Sequence, residues 1–89
     1  MTGDEIYELA AAVKSRTDFI SFVEKLNGNH SLHRDEWEND NLESFLGGLS
    51  RFAGDIGGFY KNMKEEVDIE TVTWRMAAQM LLAAKVYGS

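Results

Sequence analysis

His30-Ser-Leu-His33, followed closely by Asp35, Glu36, Glu38 and Asp40, gathers the densest set of ligating and titrating side chains in the sequence. Imidazole nitrogen and carboxylate oxygen are borderline and hard donors, so this window is the candidate site for zinc or another divalent metal. It lacks the helical His-Glu-x-x-His pattern and any other recognised metalloenzyme spacing. The competing reading is a solvated acidic loop that meets a partner protein by charge and shape. Nucleophilic catalysis needs a base beside a hydroxyl or thiol; both histidines lie in this one window, the chain has no cysteine, and no nucleophile-elbow glycine pattern occurs. Gly47-Gly48 and Gly57-Gly58 lack the flanking pattern and the lysine of a phosphate-binding loop. These residues point to a non-enzymatic protein without a cofactor, whose candidate partner surface is Asp35, Glu36, Trp37, Glu38, Asp40 and Glu43. The alternative is a metal- or small-ligand-binding protein or enzyme that uses His30 and His33.

Charge narrows the partner. Fifteen acidic against nine basic side chains give a net charge of −6, which opposes long-range attraction to phosphate backbones and anionic lipid. The balance argues against nucleic acid and membrane surfaces and favours encounter with a basic protein. Without cysteine there are no disulfides and no thiolate metal sites, which fits a reducing compartment. The start Met-Thr-Gly-Asp-Glu lacks the basic region and apolar run of a secretion signal, and no stretch has the uninterrupted apolar length that spans a bilayer. A soluble, cytoplasmic protein is expected.

The elements that must position this loop are helical. The stretch from Thr73 to Tyr87 is interrupted only by Arg75, Gln79 and Lys85 among small and apolar residues, and it predicts a buried helix around which the chain is organised. On a helical wheel, Trp74, Met76, Ala77, Met80, Leu81, Ala84 and Tyr87 share one broad core side. Leu82 and Val86 fall with Arg75 and Gln79 on the other side, so that face is half apolar and needs a cover. A neighbouring loop or helix of the same chain could supply it, or a second copy could, with Leu82 and Val86 as the candidate self-association residues of a homodimer.

Earlier in the chain, Thr2-Gly-Asp-Glu5 has capping-box spacing before Ile6, Leu9 and Val13, predicting a helix over 3–13. Ser15 to Thr17 cap a second, whose face is Phe19, Phe22, Val23 and Leu26 and whose stop is Asn27-Gly28. Residues 28–39 have no period and read as a loop pinned to the core by Leu32 and Trp37. Asp40 or Asn41 caps a third helix with the stripe Leu42, Phe45, Leu46, Leu49, Phe52, Ala53 and Ile56, ending at Gly57-Gly58. Gly47 and Gly48 inside it should each cost about 1 kcal/mol relative to Ala, and close approach of another backbone would explain them. Val67 to Val72 alternates like an extended segment, while Glu65, Glu66 and Asp68 read as solvated charge. The sum is a single all-α domain over 1–89, a compact bundle of about four helices with a central, mostly apolar C-terminal helix and two long loops.

The ordered set Asp18-Phe-Ile-Ser-Phe22, Glu36-Trp-Glu-Asn39, Leu42-Glu-Ser-Phe-Leu46 and Trp74-Arg-Met-Ala77, closing with Leu81, Ala84 and Tyr87, resembles a family of short uncharacterised bacterial proteins. Members of that family tend to carry a proline before the second tryptophan and an acidic residue after the last tyrosine, where this chain has Thr73 and Gly88. The resemblance implies a fold and a bacterial cytoplasmic origin, and no mechanism. Locally, Trp37-Glu-Asn-Asp-Asn-Leu-Glu43 is similar to the loop-helix segment of the barstar family of ribonuclease inhibitors. That likeness implies an immunity- or antitoxin-like inhibitor of a basic protein.

Overall fold

Ser15, Asn41 and Thr73 each start a helix by accepting a hydrogen bond from the backbone N–H three residues on, at Asp18, Ser44 and Met76. These side chains satisfy donors that a helix start otherwise leaves orphaned. A computed structural model describes residues 3–88, which form α1 (Gly3–Ala11), α2 (Arg16–Leu32), a 3-10 turn (Arg34–Glu36), α3 (Leu42–Asn62) and α4 (Trp74–Ala84). The expected cap at Thr2 lies outside the described residues. The radius of gyration is 12.5 Å, against about 12 Å for a compact chain of this length. No helix among the described residues is long and apolar enough to cross a membrane.

The all-α bundle with a central last helix is what the structure contains. Helices α1, α2 and α3 all pack on α4, and α1 also meets α2; among the described residues the backbone of α3 comes close to no helix but α4. Two cores result, with α4 as the wall between them. Ile6, Ala10, Val13, Phe22, Leu26 and Trp37 bury against Ala78 on one side, and Phe52, Ile56 and Tyr60 bury against Met76 on the other. α1 covers part of the half-apolar side of α4. Leu82 is thereby packed against the first core, while Val86 remains 45% exposed.

Both internal helix ends lie later than the glycines suggest. α2 runs through Asn27-Gly28 because Asn29 is buried in helical register, its side chain holding Trp37. α3 runs through Gly57-Gly58 because Tyr60 must stay in register to reach α4. Its stop is Lys64, at φ 59°, where the Glu65 N–H reaches the Tyr60 carbonyl and the Lys64 N–H the Lys61 carbonyl. This is the Schellman closure of a helix, built on a lysine in the left-handed conformation.

Several side chains depart from the wheel. Gln79, expected beside Arg75 on the wet face, is 5% exposed because α1 and Tyr60 close over it. Trp74 is 44% exposed: it is the first residue of α4, with the Phe19 ring 5.4 Å away. Leu32 is 79% exposed, so Trp37 alone of the expected pair anchors the loop. In α3 the buried line is Gly48, Phe52, Ile56 and Tyr60, whereas Leu42, Leu46 and Ala53 face outward. Residues 67–72 form no strand; Asp68 closes a turn by accepting from the Glu70 N–H and the Thr71 hydroxyl. Those bonds hold the Asp68 carboxyl below its usual pKa, the Thr71 bond first.

Candidate functional site

Glu36-Trp-Glu-Asn39 alternates in burial: Trp37 and Asn39 point in, Glu36 and Glu38 point out. The Trp37 indole N–H donates to Asn29 Oδ1 at 2.7 Å, and its ring meets His30 edge-on at 4.8 Å and Phe45 in a stack at 6.0 Å. The Lys85 ammonium sits 5.7 Å from the same ring, a cation–π contact made by a nearly buried lysine. Asn39 ties the loop to the end of α4. Its side-chain N–H₂ donates to the carbonyls of Ala84 at 2.9 Å and Tyr87 at 3.0 Å, and its backbone N–H to that of Lys85 at 2.9 Å. These are carbonyls that a helix C-terminus leaves without intrahelical partners.

Because α2 and α3 flank α4 without packing on each other, a groove of about 550 Å³ remains between them. Leu26, Trp37, Phe45 and Leu81 are among its apolar lining, Val23 and Leu42 lie on its two sides, and its carboxylates are Glu24 and Asp40. Leu42 is 73% exposed, and Ile20 and Leu46, one turn further along the same helices, are also exposed. Such aliphatic side chains on both edges of one groove form an apolar patch open to solvent.

The residues of the expected partner surface are brought to this end of the molecule in different roles. Trp37 is structural at its inner edge and in the groove lining. Asp40 lines the groove and pairs with Arg34 at 3.7 Å, an exposed contact of small energetic weight. Asp35, Glu36, Glu38 and Glu43 are exposed around it and do not line it. Residues missed in the sequence are Glu24 and Asn29, for which the sequence carries no signal, and Asn39, whose burial has only the in-out alternation of Glu36 to Asn39 as its signal.

The His30 ring is turned to the Trp37 ring and the loop backbone. The His30 Nε2 lies 3.3 Å from the Asp40 carbonyl oxygen, an acceptor that requires the proton on Nε2. His33 ends α2, its backbone N–H bonded to the Asn29 carbonyl. Among the described residues, no three His, Asp or Glu side chains stand where they could hold one metal ion. Leu82 and Val86 lie elsewhere, in a second groove between α1 and α4.

Residues 15–88 match the model of a family described as a family of unknown function (DUF7660). The match begins at Ser15, the cap of α2, and covers every residue lining the first groove. It bears out the resemblance to a family without an assigned activity. No curated protein and no solved structure matches the chain.

Proposed function

The chain belongs to the DUF7660 family, whose function is unknown, and from that premise we propose a non-enzymatic protein-binding module that seats a basic, amphipathic segment of a partner in the α2/α3 groove. One observation carries this reading: exposed aliphatic side chains stand on both edges of an apolar-lined groove whose charged lining residues are the carboxylates Glu24 and Asp40. An apolar helix face would bury against Val23, Phe45 and Leu42. Its lysines or arginines would then meet Glu24 and Asp40, with Asp35, Glu36, Glu38 and Glu43 steering the approach. An immunity- or antitoxin-like inhibitor of a basic protein in a bacterial cytoplasm is the specific form this arrangement suits.

The test uses two synthetic helical peptides of equal length, one of leucine and lysine and one of leucine and glutamate. In a Trp74→Phe variant, Trp37 is the only tryptophan, so its fluorescence reports the groove. The lysine peptide is expected to bind and to weaken as salt rises, since the Debye length falls from about 10 Å at 0.1 M to about 3 Å at 1 M. Leu42→Ser should weaken it at all salt concentrations, and Glu24→Gln with Asp40→Asn should mainly slow association. Equal binding of the glutamate peptide, or indifference to Leu42→Ser, would falsify the proposal.

A further inference from the structure

Where α1 meets α4, Ile6, Ala10, Phe59, Leu82 and Val86 line a groove of about 270 Å³. Gln79 also lines it, and its Nε2 is buried without a hydrogen-bond partner among the described residues. The orientation of that amide is set from behind. The Tyr60 hydroxyl donates to Gln79 Oε1 at 2.6 Å, and Tyr60 does not line the groove. The Tyr60 ring is in turn held under the Arg75 guanidinium at 5.3 Å, which pairs with Glu65 at 2.9 Å. With Oε1 taken by the hydroxyl, the N–H₂ group is the one left unpaired.

Buried donors in folded proteins are nearly always paired, and an unpaired one at the edge of an apolar groove is completed by whatever brings an acceptor there. We infer that this groove binds a small apolar molecule carrying an oxygen acceptor, the oxygen taking the Gln79 Nε2–H bond and the hydrocarbon lying against Ile6, Ala10, Phe59 and Leu82. A carboxylate suits the site better than a ketone, because Lys85 also lines the groove, and its ammonium, resting on the Trp37 ring, forms no ion pair among the described residues. The volume lies at the small end of ligand pockets, which selects a medium-chain acid or a single aromatic ring over a larger cofactor. The site is separate from the α2/α3 groove and does not depend on the partner proposed there. It draws Ile6 and Ala10 from α1, outside the stretch that matches the family.

The full chain is titrated with octanoate, with octan-2-one as a neutral acceptor, and with n-octylammonium as a chain without one, following heat and the side-chain amide resonances of Gln79. Octanoate is expected to saturate one-to-one and move those resonances, octan-2-one to bind more weakly, and n-octylammonium to leave them in place. Gln79→Met keeps the side-chain length, removes the donor and should weaken octanoate at least tenfold. If that variant does not fold, Val86→Trp, which fills the groove from its exposed rim, should do the same. Absence of saturable octanoate binding at millimolar concentration, or undiminished binding in the foldable variant, overturns the site. So does a doubling of mass in light scattering that excludes octanoate, since a second copy would then be what covers the groove.

Discussion

Trp37 and Asn39 hold the loop down while Glu36 and Glu38 face water, so adjacent side chains of one short motif carry separable energies. Asn39→Ala leaves the buried carbonyl of Ala84 and the partly buried one of Tyr87 without their side-chain donor, a loss of about 1 to 3 kcal/mol. Glu36→Ala should stay within about 0.5 kcal/mol. Urea unfolding at constant slope distinguishes the two. Tyr60 makes a prediction in pH. Burial raises its pKa above the ordinary 10.0, with Arg75 opposing and Glu65 adding to the shift. The folded state therefore holds the neutral phenol to higher pH than the unfolded chain does. Its contribution is fully present below pH 10, where the unfolded tyrosine is still protonated, and is lost as pH rises through the folded pKa. Tyr60→Phe should flatten the fall in stability above pH 10 while lowering stability at neutral pH, because Gln79 Oε1 loses its donor. An unchanged alkaline slope would assign that fall to other groups, Tyr87 among them, whose hydroxyl donates to Asp55 at 2.5 Å and whose pKa is also raised.

Among the elements, α3 shows two kinds of glycine. A Cβ on Gly48 would come within 2.7 Å of both the Ala84 carbonyl and the Asn39 amide, whereas one on Gly54 or Gly58 would meet nothing within 4 Å. Gly48 is thus where α3 passes the Asn39 staple at the end of α4. Gly48→Ala should destabilise by about 1 to 3 kcal/mol through overpacking. Gly54→Ala and Gly58→Ala should stabilise by up to about 1 kcal/mol, since exposed helical glycine forfeits that much to alanine. Thermal melts of the three variants check the order. The close approach that Gly47-Gly48 suggests in the sequence is real at Gly48. At Gly47 the nearest group is the flexible Arg51 side chain, at 3.2 Å from the added atom.

At the scale of the molecule, α1 is a lid on α4. Ile6, Ala10 and Val13 are buried against Ala78, and the face bearing Gln79 and Leu82 lies beneath them. Removing residues 1–13 uncovers apolar surface on α2 and α4 at once, and a domain this small has little stability to spare. The shortened chain should lose its cooperative thermal transition and bind an apolar dye such as ANS. A sharp melt without dye binding would show that α2, α3 and α4 fold as a unit and that α1 is an accessory.

The helical class, the central place of α4 and the anchoring by Trp37 were legible in the sequence, because apolar period and cap candidates such as Ser15 and the pair Asp40-Asn41 are local signals. So was the need for a cover over Gln79, Leu82 and Val86. Which element supplies it could not be read, because a wheel records one helix and burial belongs to two. Helix ends escaped for the same reason: Gly28 and Gly57-Gly58 are permissive stops, and the contacts of Asn29 and Tyr60 with residues outside their own helices carry the chain past them. The acidic loop announced itself by composition. Its division into a buried Trp37-Asn39 staple and an exposed carboxylate rim, and the groove left because α2 and α3 do not meet over α4, exist only once the helices are packed.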